Sequence, residues 1–303
     1  MKKIPISIVT PAYHEVNNLE NLLTSIHNQN QTNFILKEII IASDGGSDGT
    51  DALILELQHQ YPLLKSIIGR KRKGKGFRLN QLYQAATGKL IVQVDADVIF
   101  ASPDSINALI KKFDQTDVVL VSGNNQPLKG KNFIQEIMNL LFEIWYYIRA
   151  DFKNGDNIHN FHGSIGALET NFARGVHYPP GVCADHHYLF LRARQVGKFK
   201  FAKKAVINFW SPNNLSDFYL QAYRSLKDRE ESARYFSPEN LNEFDITLSQ
   251  KLKGIWIAFV NHPILTSFGL FFMITLRLKD LYSNQEIDGF WEPTSSTKEA
   301  IHQ

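Results

Sequence analysis

Two carboxylates one residue apart, Asp95 and Asp97, close the run Gly88-Lys-Leu-Ile-Val-Gln-Val-Asp-Ala-Asp97. Hard oxygen ligands at this spacing suit Mg²⁺ or Mn²⁺, and such a cation can hold a diphosphate. Asp is also common in strand-end turns, so the pair alone leaves both readings open. A second stretch, Arg70-Lys-Arg-Lys-Gly-Lys-Gly-Phe-Arg78, sets Lys71, Lys75 and Arg78 around Gly74 and Gly76. There a backbone could approach phosphate oxygens and the cations could neutralise them, although most charge runs are simply solvated. It is neither a dinucleotide fingerprint nor a Walker A motif. The polar stretches Thr10-Pro-Ala-Tyr-His-Glu15 and Ser43-Asp-Gly-Gly-Ser-Asp-Gly-Thr50 offer Glu15, Asp44 and Asp48 as ligands or helix caps. His159, His162, His186 and His187 are candidates to complete a metal shell, and spacing does not choose among them.

These residues need strand ends to present them. Residues 90–94 form a short apolar, β-branched run that reads as a buried strand. Strands are also predicted at 6–9, 38–42 and 64–68, and helices at 19–28, 51–60 and 79–86. The alternation predicts a mostly parallel sheet covered on both faces, with ligands bound beyond the carboxyl ends of the strands. Further on come a strand at 118–122 and a long aromatic amphipathic helix at 133–151. That helix is either core or an acceptor-side or membrane-facing surface. Asp185 precedes a helix at 188–195, where local sequence alone reads it as an N-cap.

Composition narrows the class. A chain of 303 residues can bury a sizeable core, and a formal net charge of +3 leaves no nucleic-acid footprint. One cysteine, Cys183, rules out an intramolecular disulfide framework and fits a reducing cytosol. The start, Met1-Lys-Lys-Ile-Pro, has no apolar signal-peptide core, so a cytoplasmic location is expected.

Taken together, these stretches resemble family 2 glycosyltransferases of the GT-A fold. The resemblance is carried by Ile-Val-Thr-Pro-Ala-Tyr-His-Glu15, Ser-Asp-Gly-Gly-Ser-Asp-Gly-Thr50, Gly-Lys-Gly76 with Asn80, and Val-Asp-Ala-Asp97. Gly163-Ser-Ile-Gly166 and Cys-Ala-Asp-His-His187 before Leu-Arg-Ala-Arg-Gln-Val-Gly197 extend it over about the first 230 residues. It implies an α/β GT-A-type nucleotide-sugar-binding sheet with flanking helices, a nucleotide-diphosphate sugar donor, Mn²⁺ or Mg²⁺, and inversion at the anomeric carbon. Thr10, Ala12, Tyr13 and Glu15 would line the nucleotide pocket. Asp44 would contact the base, uracil, with Lys75 near the donor. Asp95 would face the ribose or donor, and Asp97 would bind the metal. Asp185 would be the general base, because sugar transfer needs the acceptor hydroxyl deprotonated as it attacks. Gly163, Ser164, His187, Gln221 and Arg224 would supply acceptor or phosphate contacts. The acceptor implied is lipid-linked or a cell-envelope glycan. Two departures stand out: Ala184-Asp185 where the family often has Glu-Asp, and Gln221-Ala-Tyr-Arg-Ser225 without the Trp of processive members.

The expected division is a catalytic domain over 1–232 and a helical, membrane-associated region with a polar tail over 233–303. Residues 255–276 contain no Asp, Glu, Lys or Arg, a run long enough to cross a hydrocarbon core. Lys251, Lys253, Arg277 and Lys279 flank it, and Pro263 interrupts it. One span, two pieces, a dip into one leaflet, or a helix pair packed on the catalytic domain are the alternatives. Residues from about 282 onward read as polar and loosely ordered. A sugar-nucleotide nucleotidyltransferase would carry a Gly-rich loop after its first strand, where this chain has Thr10-Pro-Ala-Tyr13. A non-catalytic protein on the same fold would not need Asp95, Asp97 and Asp185 together.

Overall fold

The computed structural model describes residues 3–281 and 294–301. β1 (Ile4–Ala12), α1 (Leu19–His27), β2 (Phe34–Ser43), α2 (Thr50–Gln60), β3 (Leu64–Ile68), α3 (Lys75–Ala85) and β4 (Leu90–Val94) alternate as predicted. Then follow β5 (Val98–Phe100), α4 (Ser105–Ile110), β6 (Val118–Pro127), α5 (Phe133–Arg149), β7 (Ile165–Glu169) and α6 (Thr170–Gly175). α7 (Asp185–Val196), β8 (Lys198–Phe209) and α8 (Leu215–Ser232) complete the sheet region, and α9 (Pro238–Leu241), α10 (Leu248–Asn261) and α11 (Pro263–Leu281) come last.

The described strands make one eight-stranded sheet in the order β3-β2-β1-β4-β7-β6-β8-β5. Its first half is parallel. β7 then runs antiparallel to both β4 and β6, β8 is parallel to β6, and β5 is antiparallel to β8. The sheet is therefore mixed but mostly parallel, as the sequence predicts, with four parallel and three antiparallel pairings among the described strands. β5 is too short to carry a periodic signal, and β7, Ile-Gly-Ala-Leu-Glu, carries a single β-branched residue.

Apolar residues alternate between the two faces, as the period of two in a strand requires. Ile8, Ile39, Ile41, Val92 and Val94 pack beneath α1 and α2. Val9, Ile40 and Ile91 pack on the other face with Leu79, Tyr83 and Phe190. One buried charge ties the strands at their amino ends. Glu38 accepts from Ser7 Oγ at 2.6 Å, from Thr87 N and Oγ1 at 2.7 Å, and from Lys65 Nζ at 2.7 Å. Burial favours its neutral form, but the bonds from Lys65, Ser7 and Thr87 outweigh it and lower the pKa to about 2.

The 255–276 run is broken at His262, so it forms parts of α10 and α11 rather than one helix. Among the described residues no helix is long and apolar enough to cross a membrane. This corrects the spanning alternative: Pro263 lacks the amide proton that would continue α10 and instead opens α11. The pair packs on α5, where Gly254 and Gly269 permit close approach. A Cβ on Gly254 would lie 2.4 Å from Ile148 Cγ1, and one on Gly269 would lie 3.0 Å from Leu141 Cδ2. Ala258, Leu265 and Phe272 face inward. The tail expectation falls partly outside the described residues, but 294–301 fold back onto Asn18, Trp210, Asn213 and Asp217, and Ile301 is buried.

Candidate active site

A cavity of about 480 Å³ opens at the carboxyl ends of β1, β2 and β4. Ala12, Tyr13, Glu15, Asp44, Lys75, Asp95, Asp97, Ser164, Asp185, Gln221 and Arg224 all line it. The other three candidates lie behind its walls. Thr10 is fully buried in β1, and its hydroxyl finds no hydrogen-bond partner among the described residues. Gly163, at φ +75°, backs onto α7: a Cβ there would lie 2.9 Å from His186 Cβ. His187 is buried, 3.4 Å from Asp228 Oδ2 and edge-on to Phe244.

The acidic turn after β4 and the start of α7 meet through one lysine. Gly74, at φ +88°, reverses the basic loop into α3 and makes Lys75 the first helical residue. Lys75 Nζ lies 2.8 Å from Asp95 Oδ1 and 3.5 Å from Asp185 Oδ2. Burial disfavours its charge, but Asp185 and Asp95 outweigh burial and hold it above the ordinary lysine range. Asp185 is correspondingly lowered to about 2: burial opposes ionisation, and Lys75 and His186 overcome it. The residue is not the N-cap; Ala184 is, and Asp185 opens the helix with its side chain toward the cavity.

The loop before Asp185 is held by a residue that carries no local sequence signal. Glu231, in the last turn of α8, accepts from Cys183 N at 2.5 Å and Ala184 N at 2.6 Å. Asp228, one turn earlier, lies 3.9 Å from His186 Nε2, and His186 Nδ1 lies 4.0 Å from Asp185 Oδ1. Burial raises Asp228 to about 6, and it keeps His187 well below the ordinary histidine range.

Asp44 lines the cavity and is also tied into the loop that forms its wall. Both its oxygens are engaged by the protein: Lys73 N and Gly74 N at 2.8 Å, and Arg78 Nε at 2.7 Å. Arg78 is itself buried and also donates to Gln81 and to the Lys71 carbonyl. Asp44 and Arg78 therefore shape the basic loop. Gly76 is needed for packing, since a Cβ there would lie 2.9 Å from Val182 Cγ1. Asp48 acts locally, accepting from Thr50 N and Val16 N. Tyr13 is stacked on His14, and the Arg72 guanidinium lies 4.4 Å from its ring centroid. The result is an aromatic wall with a cation over it.

Glu15 stands across the cavity, almost fully buried. Burial and the neighbouring Asp97 push its pKa up to about 8, opposed by Lys298. Asn18, at the N-cap position of α1, makes no side-chain capping bond and donates instead to Glu15 Oε2 at 3.1 Å. Asp97, Asp95 and Glu15 line one cavity and offer the hard oxygens that suit Mn²⁺ or Mg²⁺, while among the described residues the side chains gathered closely enough to hold one ion by themselves are His186, His187 and Asp228. The first of these sets already draws a cation, since the Lys298 ammonium rests on Glu15 with Asp97 Oδ2 at 3.7 Å.

Comparison with known proteins agrees with this geometry. The family model described as Glycosyl transferase family 2 matches residues 7–174, more than half of the chain. An uncharacterised glycosyltransferase of Nostoc sp. is 27% identical over 130 residues, 41% of this chain and 39% of that protein. The dolichol-phosphate mannosyltransferase of Pyrococcus furiosus is 34% identical over 93 residues, 31% of this chain and 26% of that protein. The chain thus spans well under half the length of these curated relatives. Among solved structures, the mannosyltransferase of Pyrobaculum calidifontis in complex with GDP-Man and Mn²⁺ is similar at a TM-score of 0.66 and 17% identity, covering 94% of this chain and 89% of that one.

Proposed function

The chain belongs to glycosyl transferase family 2, and from that premise we propose that it moves a sugar from a nucleotide diphosphate to an acceptor hydroxyl with inversion. The observation that carries this is the convergence of Asp95, Asp97, Lys75 and Asp185 on one cavity. The acceptor oxygen bonds to the anomeric carbon, the bond from that carbon to the diphosphate breaks, and the acceptor's proton passes to Asp185. Lys75 and His186 keep Asp185 ionised and able to receive that proton. A Mn²⁺ or Mg²⁺ ion held by Asp97 would neutralise charge on the leaving diphosphate. Tyr13, held between His14 and Arg72, lines the part of the cavity where the base would lie. The resemblance implies uridine as the nucleoside, whereas the Pyrobaculum enzyme binds GDP-Man.

The acceptor we propose is lipid-linked or a cell-envelope glycan, reached at the inner face of a membrane. Two observations support it. A relative acts as a dolichol-phosphate mannosyltransferase. On the outer face of α10 and α11, Leu248, Leu252, Trp256, Val260, Ile264, Phe271 and Ile274 are all more than half exposed. Such a face suits shallow burial in one leaflet rather than a span.

The test is a panel of UDP- and GDP-sugars with Mn²⁺, Mg²⁺ or chelator, scored for metal-stimulated donor hydrolysis and for transfer to lipid-linked glycans that carry a free hydroxyl. Consumption of a nucleoside triphosphate with a sugar phosphate, and of no nucleotide sugar, would assign the fold to nucleotidyl transfer instead.

A further inference from the structure

Residues 294–301 are anchored as a strap across the mouth of the cavity. Ser296 N donates to Asp217 Oδ2 at 2.8 Å, and Trp210 Nε1 donates to the Ala300 carbonyl at 3.2 Å. Glu299 accepts from Asn213 Nδ2 at 3.0 Å and from Lys131 Nζ at 2.6 Å. Asn18 Nδ2 donates to the Lys298 carbonyl at 3.3 Å. The strap thereby joins the starts of α1 and α8 to the end of β8. Its one cation directed into the cavity among the described residues is Lys298, seated between Glu15 and Asp97.

We infer that Lys298 couples metal binding to donor binding, an inference that rests on reading Asp97 as a metal ligand and the cavity as a diphosphate site. With no nucleotide bound, the ammonium and a divalent ion compete for the same carboxylates. A metal on Asp97 would lie within a few ångströms of Nζ, and like charges that close, partly shielded from water, repel strongly. The strap's anchors hold the Lys298 backbone beside the cavity, so the ammonium stays within reach of it. A nucleoside diphosphate changes this balance, because its phosphate oxygens offer the ammonium a new partner within reach of its flexible four-carbon stem. The ammonium and the metal then share the diphosphate instead of competing for Asp97. Each ligand raises the affinity for the other, by the same factor in both directions. The free enzyme binds metal weakly and commits to it only with donor in place.

The test is titration calorimetry with the full chain, using Mn²⁺ alone, UDP or GDP alone, and each in the presence of the other. The wild type is expected to bind Mn²⁺ at least tenfold more tightly once the nucleoside diphosphate is present, with no such gain from the bare nucleoside. Lys298→Met should bind Mn²⁺ alone several-fold more tightly than the wild type and lose most of the coupling. Lys298→Arg should retain it. Lys298→Gln, which can still hydrogen-bond Glu15, repeats the measurement if Lys298→Met proves unstable. Unchanged Mn²⁺ affinity and unchanged coupling in the neutral variants would overturn the inference while leaving the site reading intact. A wild type that binds neither Mn²⁺ nor a nucleoside diphosphate would overturn the site reading, and the coupling with it.

Discussion

The Lys75 ammonium, at the start of α3, stands 3.5 Å from the Asp185 carboxylate, so it favours the ionised form of a residue on α7. Replacing Lys75 by Met removes the largest influence that lowers the Asp185 pKa from its ordinary 3.8 to about 2. Asp185 should then titrate at higher pH, and the acid limb of the transfer rate should move up with it. The rate at neutral pH should fall by about 10²-fold, since Asp95 also loses its partner. A kcat–pH profile of Lys75→Met that coincides in shape with the wild type would show that the contact does not act on the base.

Asp97 and Asp185 should fail in different ways. Asp97→Asn should abolish stimulation by Mn²⁺ and weaken nucleotide binding, because it removes a metal oxygen. Asp185→Asn should cut transfer by about 10²-fold or more while leaving nucleotide affinity near wild type. Binding isotherms beside single-turnover rates separate the two. Equal loss of binding in both variants would remove Asp185 from its role as base.

Glu38 makes a stability prediction away from the cavity. Glu38→Ala strands the Thr87 amide and the Ser7 hydroxyl and should cost about 3 kcal/mol. The folded pKa of about 2 lies below the ordinary 4.5. The contribution is therefore complete above pH 5 and is lost as pH falls toward 2. Urea melts at pH 7 and pH 3.5 should show the gap between wild type and Glu38→Gln narrowing on acidification. A gap that holds constant would mean that the carboxylate charge does not matter.

The parallel half of the sheet is legible because each of its strands carries its own apolar run; β3 and β4 take the predicted bounds 64–68 and 90–94. The cavity's acidic residues are legible for a related reason: Glu15, Asp44 and Asp97 each follow such a run. β5 is not legible because three residues hold no period, and β7, Ile-Gly-Ala-Leu-Glu, because it carries a single β-branched residue and a glycine. Neither is Glu231, which reads as helix-surface charge until α8 is docked against the Ala184 loop. Lys298 is the extreme case. Its partner Glu15 lies at the other end of the chain, and no local spacing announces a contact made only by tertiary folding. Asp44 shows the converse, a motif residue whose oxygens go to Lys73, Gly74 and Arg78 and so to building the site's wall.

The last prediction concerns the outer face of α10 and α11. Trp256, Ile264 and Phe271 are 66%, 71% and 59% exposed, and Lys251, Lys253 and Arg277 are exposed on the same two helices. Burying such apolar side chains in a headgroup boundary is worth roughly 1–2 kcal/mol each. Each basic residue near an anionic surface adds about 1 kcal/mol. The chain should therefore float with phosphatidylglycerol vesicles at low salt, float less well as salt rises, and bind phosphatidylcholine vesicles weakly. Trp256→Glu combined with Phe271→Glu should release it, with the thermal melt unchanged because neither side chain packs inward. Absence of flotation from the wild type would end the membrane reading. If light scattering then shows a dimer that the double variant loses, the face belongs to a second copy of the chain. Retained donor hydrolysis in the released variant, with transfer to a lipid-linked glycan in vesicles lost, would tie the face to acceptor delivery rather than to the chemistry proposed at Asp185.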